Sequence, residues 1–447
     1  MFDDLIDGRP INGRQKIIFA LCLIVLIIDG LDAALLAFAS PVLLGEWHIT
    51  KAQLAPALAA SLLGMALGAT VGGFAADRFG CRRTLTTVVV AFGVTTLASA
   101  LVHGVAQLIV LRLLSGIGFG VAVPTAMALA SEWSPRRLRG QLVLLMSIGT
   151  MLGGTFGGLL AAWLIPTFGW RSIFVVCGGI TVAGAILSMI YLPESLAFLI
   201  RKSRENEARE WVRRVIGSDV TALPGGAARP LLDTLEQGFG ARLMSSANLR
   251  VNVGLWIGFF ALTYAAFAYI SWTPTMLVGA GFDLQSAIRC TSIYTFSAVL
   301  GVLVCVVLLP RVGSRGLLLL SIVMTAGGTV AFPGLLSVGP TMGTAVNVAM
   351  LFAGFGGGMS QSTIYALAAT AYPATYRATA LGVCVGISRV GGIVSALGGG
   401  FLLEASGPSG VAFFSVLAGM LLVGLTGLAV MNRHIASTST VTRRASA

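Results

Sequence analysis

The chain has 447 residues, 56% of them hydrophobic and only 10% charged, with a net charge of +12. A soluble domain carries about 25% charged residues, so this composition excludes a water-covered globular surface and makes lipid the main solvent of the chain. The positive charge would suggest nucleic acid in a soluble protein, but here it falls in short connections between apolar runs and is read as membrane topology.

A membrane helix needs about 20 apolar residues. Runs of that kind predict twelve spans, at 17–43, 53–75, 85–102, 106–130, 141–165, 170–192, 251–278, 286–309, 316–336, 342–371, 378–403 and 411–431. The first run is too long for a signal peptide, follows an acidic start and lacks a small-residue cleavage site, so it is expected to be retained. With both termini inside, the basic residues of the connections lie on the cytoplasmic side, except Lys51, Arg171 and Arg289. That asymmetry sets the orientation. The expected organisation is a six-span half (1–192), a cytoplasmic central loop (193–250), a second six-span half (251–432) and a cytoplasmic tail (433–447). Within the loop, Ala208, Trp211, Val212, Val215 and Ile216 have helical spacing with arginines opposite. This predicts a short amphipathic helix, either on the inner membrane surface or as a solvated linker.

The two halves repeat. One constant offset maps Arg139 onto Arg377, Gly116, Gly118 and Gly120 onto Gly354, Gly356 and Gly358, and Gly153-Gly154 onto Gly391-Gly392. A slightly shorter one aligns Asp77-Arg78-Phe79-Gly80 with Pro310-Arg311-Val312-Gly313. Duplicated halves in a membrane protein imply a substrate site near the midplane and rocking as the transport motion. Gly64, Gly68 and Gly72 form a small-residue stripe expected to pack against another helix.

Ionisable groups inside a bilayer cost roughly 2.5–3.5 kcal/mol each even on insertion scales. Five lie in or near the spans: Asp29, Asp32, Arg112, Glu132 and Arg389. Asp29 and Asp32 share a helix face. Two carboxylates close together in low dielectric resist joint ionisation, which suits proton uptake and release; the alternative is that each pairs with an arginine to hold helices together. Gly30 between them lets a neighbouring helix or a substrate approach the backbone. Arg389 offers a planar fork for a carboxylate, either the substrate's or that of Asp29 or Asp32. Trp256, Phe260, Tyr264 and Phe267 make an aromatic stripe on span seven, which suits a substrate ring, lipid or helix packing equally. Tyr264 stands out because its hydroxyl needs a partner in lipid. Glu132, beside Arg136, Arg137 and Arg139, suits gating ion pairs with the Asp77-Arg78 loop.

Gly73-Phe-Ala-Ala-Asp77-Arg78-Phe-Gly80-Cys81-Arg82-Arg83 resembles the signature loop between the second and third helices of the major facilitator superfamily. Arg112-Leu-Leu-Ser-Gly116-Ile-Gly118 resembles its helix-four motif, and Leu192-Pro193-Glu194-Ser195 its motif after helix six. More narrowly, Asp29-Gly30-Leu31-Asp32 and Tyr372-Pro373 through Gly382 resemble the aromatic acid:proton symporter family. The resemblance implies an all-α major facilitator fold of two pseudo-symmetric six-helix halves, monomeric, in the bacterial inner membrane. It also implies proton-coupled import of aromatic carboxylates such as hydroxybenzoates, for aromatic compound catabolism. Asp29, Asp32 and Arg112 would couple the proton. Arg389, Asp32, Tyr264 and Phe260 would bind substrate. Asp77, Arg78, Arg82, Glu132 and Arg139 would gate.

The alternatives left open are a symporter for diacids such as muconate, a proton-driven exporter, and a ligand sensor that does not transport. The scattered cysteines and histidines suggest no metal site or disulfide. Nothing resembles a catalytic constellation or a nucleotide-binding loop. An enzyme, a cofactor and a nucleic-acid partner are therefore not expected, and the proton gradient is the expected energy source.

Overall fold

The computed structural model describes residues 11–217, 246–372, 377–406, 410–431 and 434–435. The first half contains α1 (Gly13–Glu46), α2 (Lys51–Phe79), α3 (Cys81–Ser99), α4 (Val105–Glu132), α5 (Arg136–Phe168) and α6 (Arg171–Tyr191). Two short helices follow, α7 (Leu196–Arg201) and α8 (Glu205–Ile216), then α9 (Ser246–Gly279). The segment Leu284–Val338 is helical throughout except at Gly313, and is treated as α10 (284–312) and α11 (314–338). The last three are α12 (Gly343–Ala371), α13 (Arg377–Ser406) and α14 (Val411–Val430). All twelve predicted runs are helices. Among the described residues ten helical segments are long and apolar enough to cross a membrane, Leu284–Val338 counting once. The predicted tail lies outside the described residues apart from His434 and Ile435. Ile435 exchanges backbone contacts with Ser314, its N–H donating to Ser314 Oγ at 2.9 Å and its carbonyl accepting from Ser314 N at 3.0 Å.

The sequence repeat is a repeat of packing. In α4, side chains at Gly116 and Gly120 would place Cβ 2.2 Å from the backbone oxygens of Ser61 and Met65 on α2. In α12, the equivalent Gly354 and Gly358 meet Tyr294 O at 2.2 Å and Ala298 O at 2.1 Å on α10. Gly118 meets α3 at Phe92, and its counterpart Gly356 meets α11 at Ser321. Gly153 of α5 lies against Ile27 of α1, as Gly391 of α13 lies against Phe260 of α9. The helix breaks after the signature loop match as well. Gly80 has φ 97° and ψ 150°, and Gly313 has φ 80° and ψ 163°, a region that only glycine enters without strain. The α2 stripe does what its spacing predicts: Gly64 and Gly68 meet Leu113 O and Ile117 O of α4 at 2.3 and 2.2 Å.

The chain divides into two compact units that do not follow the two halves. Unit 1 is Met1–Ala33, Ala60–Gly157 and Phe168–Leu231. Unit 2 is Ala34–Ala59, Gly158–Thr167 and Leu232–Ala447. Within unit 2, the segments of α1, α2 and α5 at the end expected to face outward pack on the second half. Ala52 N–H donates to Glu404 Oε1 at 2.9 Å. Gly400 lies so close to α2 that a Cβ there would sit 2.7 Å from Lys51 O. Gly158 of α5 meets Ser292 of α10.

In unit 1, α8 is amphipathic as predicted, but its apolar face is covered by protein and not by lipid or water. Ala208, Val212 and Val215 are buried in one core with Ile18, Phe19 and Cys22 of α1, Leu129 of α4, Trp133 and Leu199. Asn12 Nδ2 and Arg14 donate to the carbonyls of Val215 and Arg214 at the end of α8, where orphan carbonyls need partners.

The glycine contacts make a test of the α1–α5 crossing. A side chain at Gly30 would place Cβ 1.7 Å from Thr150 O, whereas Gly13 has no heavy atom within 4 Å. Gly30→Ala is expected to cost at least about 3 kcal/mol, the upper range of overpacking. It should markedly lower the thermal unfolding midpoint in detergent, with Gly13→Ala unchanged.

Candidate functional site

Unit 1 gathers the first-half charges around α1. Asp32 and Arg112 are 2% and 1% exposed. Arg112 Nη1 donates to Asp32 Oδ2 at 3.0 Å and Oδ1 at 3.2 Å. Arg112 Nη2 donates to Ser99 Oγ at 3.0 Å, and Thr96 Oγ1 donates to Asp32 Oδ1 at 3.1 Å. The guanidinium carbon lies 5.3 Å from the ring centroid of Phe174, a favourable cation–π distance. One ion pair thus ties α1, α3, α4 and α6. Asp29, buried at 4%, goes elsewhere: its Oδ2 accepts from Thr150 Oγ1 of α5 at 3.4 Å. Gly30 serves the neighbouring helix, since Thr150 is the residue pressed against it. From one face of α1, Asp29 thus reaches Thr150 of α5 and Asp32 reaches Arg112 of α4.

The residues expected to gate also lie in unit 1. Asp77 pairs with Arg201 of α7, Nη2 donating to Oδ1 at 3.0 Å. Both side chains are at least half exposed, so the pair is worth about 1 kcal/mol or less. Arg82 N–H and Ser195 N–H donate to Glu194 Oε1 at 2.9 and 3.0 Å. Glu194 also fills the space beside Gly80, where a Cβ would meet Oε2 at 2.6 Å. The Arg82 side chain donates to Met189 O and stacks over Trp211 of α8 at 5.4 Å. Glu132 Oε1 accepts from Ala197 N–H at 2.7 Å. Arg78 lies over the ring of its neighbour Phe79. The side chains of Arg136, Arg137 and Arg139 lie outside the described residues. The signature loop is thus fastened to the segment after α6. Glu194 and Arg201 were missed as site residues, although Glu194 stands in a motif read from the sequence.

The second-half residues lie in unit 2. Arg389 is half-buried on α13. Among the described residues of this unit no carboxylate pairs with Arg389. Tyr365 packs edge-on against Phe259 of α9, centroids 4.9 Å apart. Gln361, one turn earlier, donates to Thr263 Oγ1 at 3.4 Å. Phe260 and Tyr264 stack on each other at 6.5 Å, and Tyr264 is buried at 3%. Gln361 is neutral, so a search for charges in apolar spans passed over its hydrogen bond to Thr263.

The Asp32–Arg112 pair carries a stability prediction. Removing one partner of a buried ion pair costs about 3–5 kcal/mol, because the other charge is left uncompensated. Asp32→Ala is expected to lower the thermal midpoint in detergent well below that of Asp32→Asn, which keeps an acceptor for Arg112. The double variant Asp32→Ala with Arg112→Leu should recover much of the loss, and its failure to do so would show that the two residues act independently.

The model of the Major Facilitator Superfamily matches residues 22–395. The chain is 33% identical over 405 residues to the 4-hydroxybenzoate transporter PcaK of Pseudomonas putida, covering 89% of this chain and 88% of that protein. It is 30% identical over 403 residues to the gallate transporter of Pseudomonas putida, covering 90% and 88%. A solved structure of the xylose transporter XylE from E. coli, in a partially occluded inward-open conformation, superposes with a TM-score of 0.75 at 17% identity, covering 95% of this chain and 99% of that one. At that identity the likeness concerns the fold. These matches, with the repeated six-helix packing and the apolar spans, make the protein a multi-pass protein of the bacterial inner membrane and a transporter, not an enzyme. The chain belongs to the Major Facilitator Superfamily and, within it, to the aromatic acid:proton symporter family whose motifs it carries.

Proposed function

We propose that the protein imports aromatic monocarboxylates such as hydroxybenzoates by proton-coupled alternating access, as a monomer. The observation that carries this reading is the Asp32–Arg112 pair, a carboxylate and guanidinium 3.0 Å apart and almost fully buried. It sits in a chain whose relatives are named as 4-hydroxybenzoate and gallate transporters.

Asp32 is the proposed proton site. A proton on Asp32 removes its charge and loosens its hold on Arg112, which frees α1 and α4 to shift against each other. Arg389 is the proposed site of the substrate carboxylate, because a guanidinium in an apolar span needs an anion and no described carboxylate of its unit supplies one. Phe259, Phe260, Tyr264 and Tyr365 are the proposed aromatic surface for the ring. Proton and monoanion together add no net charge, so the loaded carrier crosses with the same net charge as the empty one. The proton gradient then drives accumulation without a cofactor. One proton per monoanion moves no net charge, so the pH difference alone supplies the work; a second proton would add about 2.3 kcal/mol per 100 mV. Asp77, Arg78, Arg82, Glu132 and Arg139 are proposed to steady the inner end through the cycle. The contact of Glu404 with Ala52 must open each time substrate enters from outside.

Cells expressing the protein, offered labelled 4-hydroxybenzoate, benzoate and muconate, are expected to accumulate the aromatic acids and to lose that accumulation with a protonophore. Arg389→Ala should abolish uptake while the protein still reaches the membrane. Preferential accumulation of muconate would overturn the substrate class, and faster loss of preloaded acid would overturn the direction.

A further inference from the structure

One turn of α9, residues 259–263, meets both α12 and α13. Gly391 of α13, two residues past Arg389, lies so close that a Cβ there would sit 2.4 Å from the Phe260 carbonyl oxygen. From α12 come two contacts one turn apart. Tyr365 meets Phe259 edge-on with centroids 4.9 Å apart, and Gln361 Nε2 donates to Thr263 Oγ1 at 3.4 Å. Gln361 and Arg389 are thus set at the same level of unit 2, on two different neighbours of α9.

An amide in an apolar span is costly unless its groups are hydrogen-bonded. It offers two donors and an acceptor, and the bond to Thr263 uses one donor. Thr263 is 4% exposed, so that end of the amide is held against α9. Gln361 itself stays partly exposed, as does Tyr365. The α9–α12 contact does not depend on this bond, because Gly258 of α9 makes room for Ile364 of α12, whose Cδ1 would lie 2.7 Å from a Cβ there. The amide is therefore more than a fastening. It carries no charge, and its oxygen is suited to accept a proton from a neutral hydroxyl. The ring hydroxyl is the neutral polar group that a hydroxybenzoate brings.

We infer that Gln361 recognises the ring hydroxyl of the substrate, its amide oxygen accepting from the phenol O–H while Arg389 holds the carboxylate. This rests on the proposed import of aromatic carboxylates and on the assignment of Arg389. The carboxylate is held from α13 and the hydroxyl from α12, so the hydroxyl that is read is the one farthest from the carboxylate, at the 4-position. Benzoate offers the amide nothing. A site built to hydrogen-bond a hydroxyl discriminates against an analogue lacking it, because the polar group of the site is then left unpaired.

Initial-rate uptake of 4-hydroxybenzoate and of benzoate would be measured for wild type, Gln361→Leu, Gln361→Met and Arg389→Ala, with membrane insertion checked for each. The wild type is expected to show the lower KM for 4-hydroxybenzoate; equal values would overturn the inference without any variant. In Gln361→Leu, similar in size but without the amide, the ratio of the benzoate KM to the 4-hydroxybenzoate KM is expected to fall about tenfold. Gln361→Met should lower the ratio likewise, so the outcome does not hang on one variant. A ratio kept at the wild-type value would overturn the inference, because a bond that only ties α12 to α9 affects both acids alike. If Arg389→Ala keeps wild-type KM values while Gln361→Leu loses the preference, the carboxylate assignment falls and the role of Gln361 stands. If the wild type takes up neither acid, the proposed function falls and this inference with it.

Discussion

A carboxylate and a guanidinium buried in a lipid-solvated protein must be paired, since neither can be hydrated and each alone is costly. Asp32 and Arg112 satisfy that requirement with two close contacts, and Thr96 and Ser99 take up further hydrogen-bonding capacity from α3. Much of the first half is arranged so that the pair can form. Gly30 brings α1 against α5, and Gly116 and Gly120 bring α4 against α2. Phe174 places α6 under the guanidinium. A buried pair of this kind is weak evidence for stability as such. Its better use is as a switch, because one proton cancels one of the two charges and changes the relation among four helices at once.

Duplication produced the frame twice and the chemistry once in each half. The glycine contacts of α4 on α2 and α3 recur as those of α12 on α10 and α11, and the breaks at Gly80 and Gly313 have nearly the same dihedrals. The arginines do not recur. The repeat places Met350, fully buried, at the position of Arg112, and Met151 at the position of Arg389. Each half thus keeps one intramembrane arginine where the other has an uncharged, adaptable side chain. That division fits a protein in which one half handles the proton and the other the anion.

The fold was legible because its causes are local. Twenty apolar residues in a row demand a span, and glycines at every second or fourth position demand close packing whichever helix supplies the partner. The repeat could be read for the same reason. Partner choice was less accessible. Hydropathy says that Asp32 needs a counter-charge, but Arg112 lies in another span, and only the three-dimensional packing selects it. The restriction to charges was the second obstacle. Gln361 carries a hydrogen bond in an apolar span without carrying charge, and Arg201, in the central loop, gave no sign of its contact with Asp77. The amphipathic pattern of α8 was correct, but periodicity shows that a face is buried and not what buries it.

The central claim is that Asp32 carries the coupled proton, and exchange compared with accumulation tests it most directly. Purified wild type and Asp32→Asn would be reconstituted into vesicles and assayed for exchange of labelled against unlabelled 4-hydroxybenzoate at equal pH, and for net accumulation driven by a pH gradient. Exchange lets the loaded transporter cycle without releasing its proton, whereas accumulation requires release. The account predicts that Asp32→Asn, fixed in the neutral form, retains exchange and loses accumulation. Accumulation by Asp32→Asn at the wild-type level would contradict it and would return Asp32 to a purely structural role.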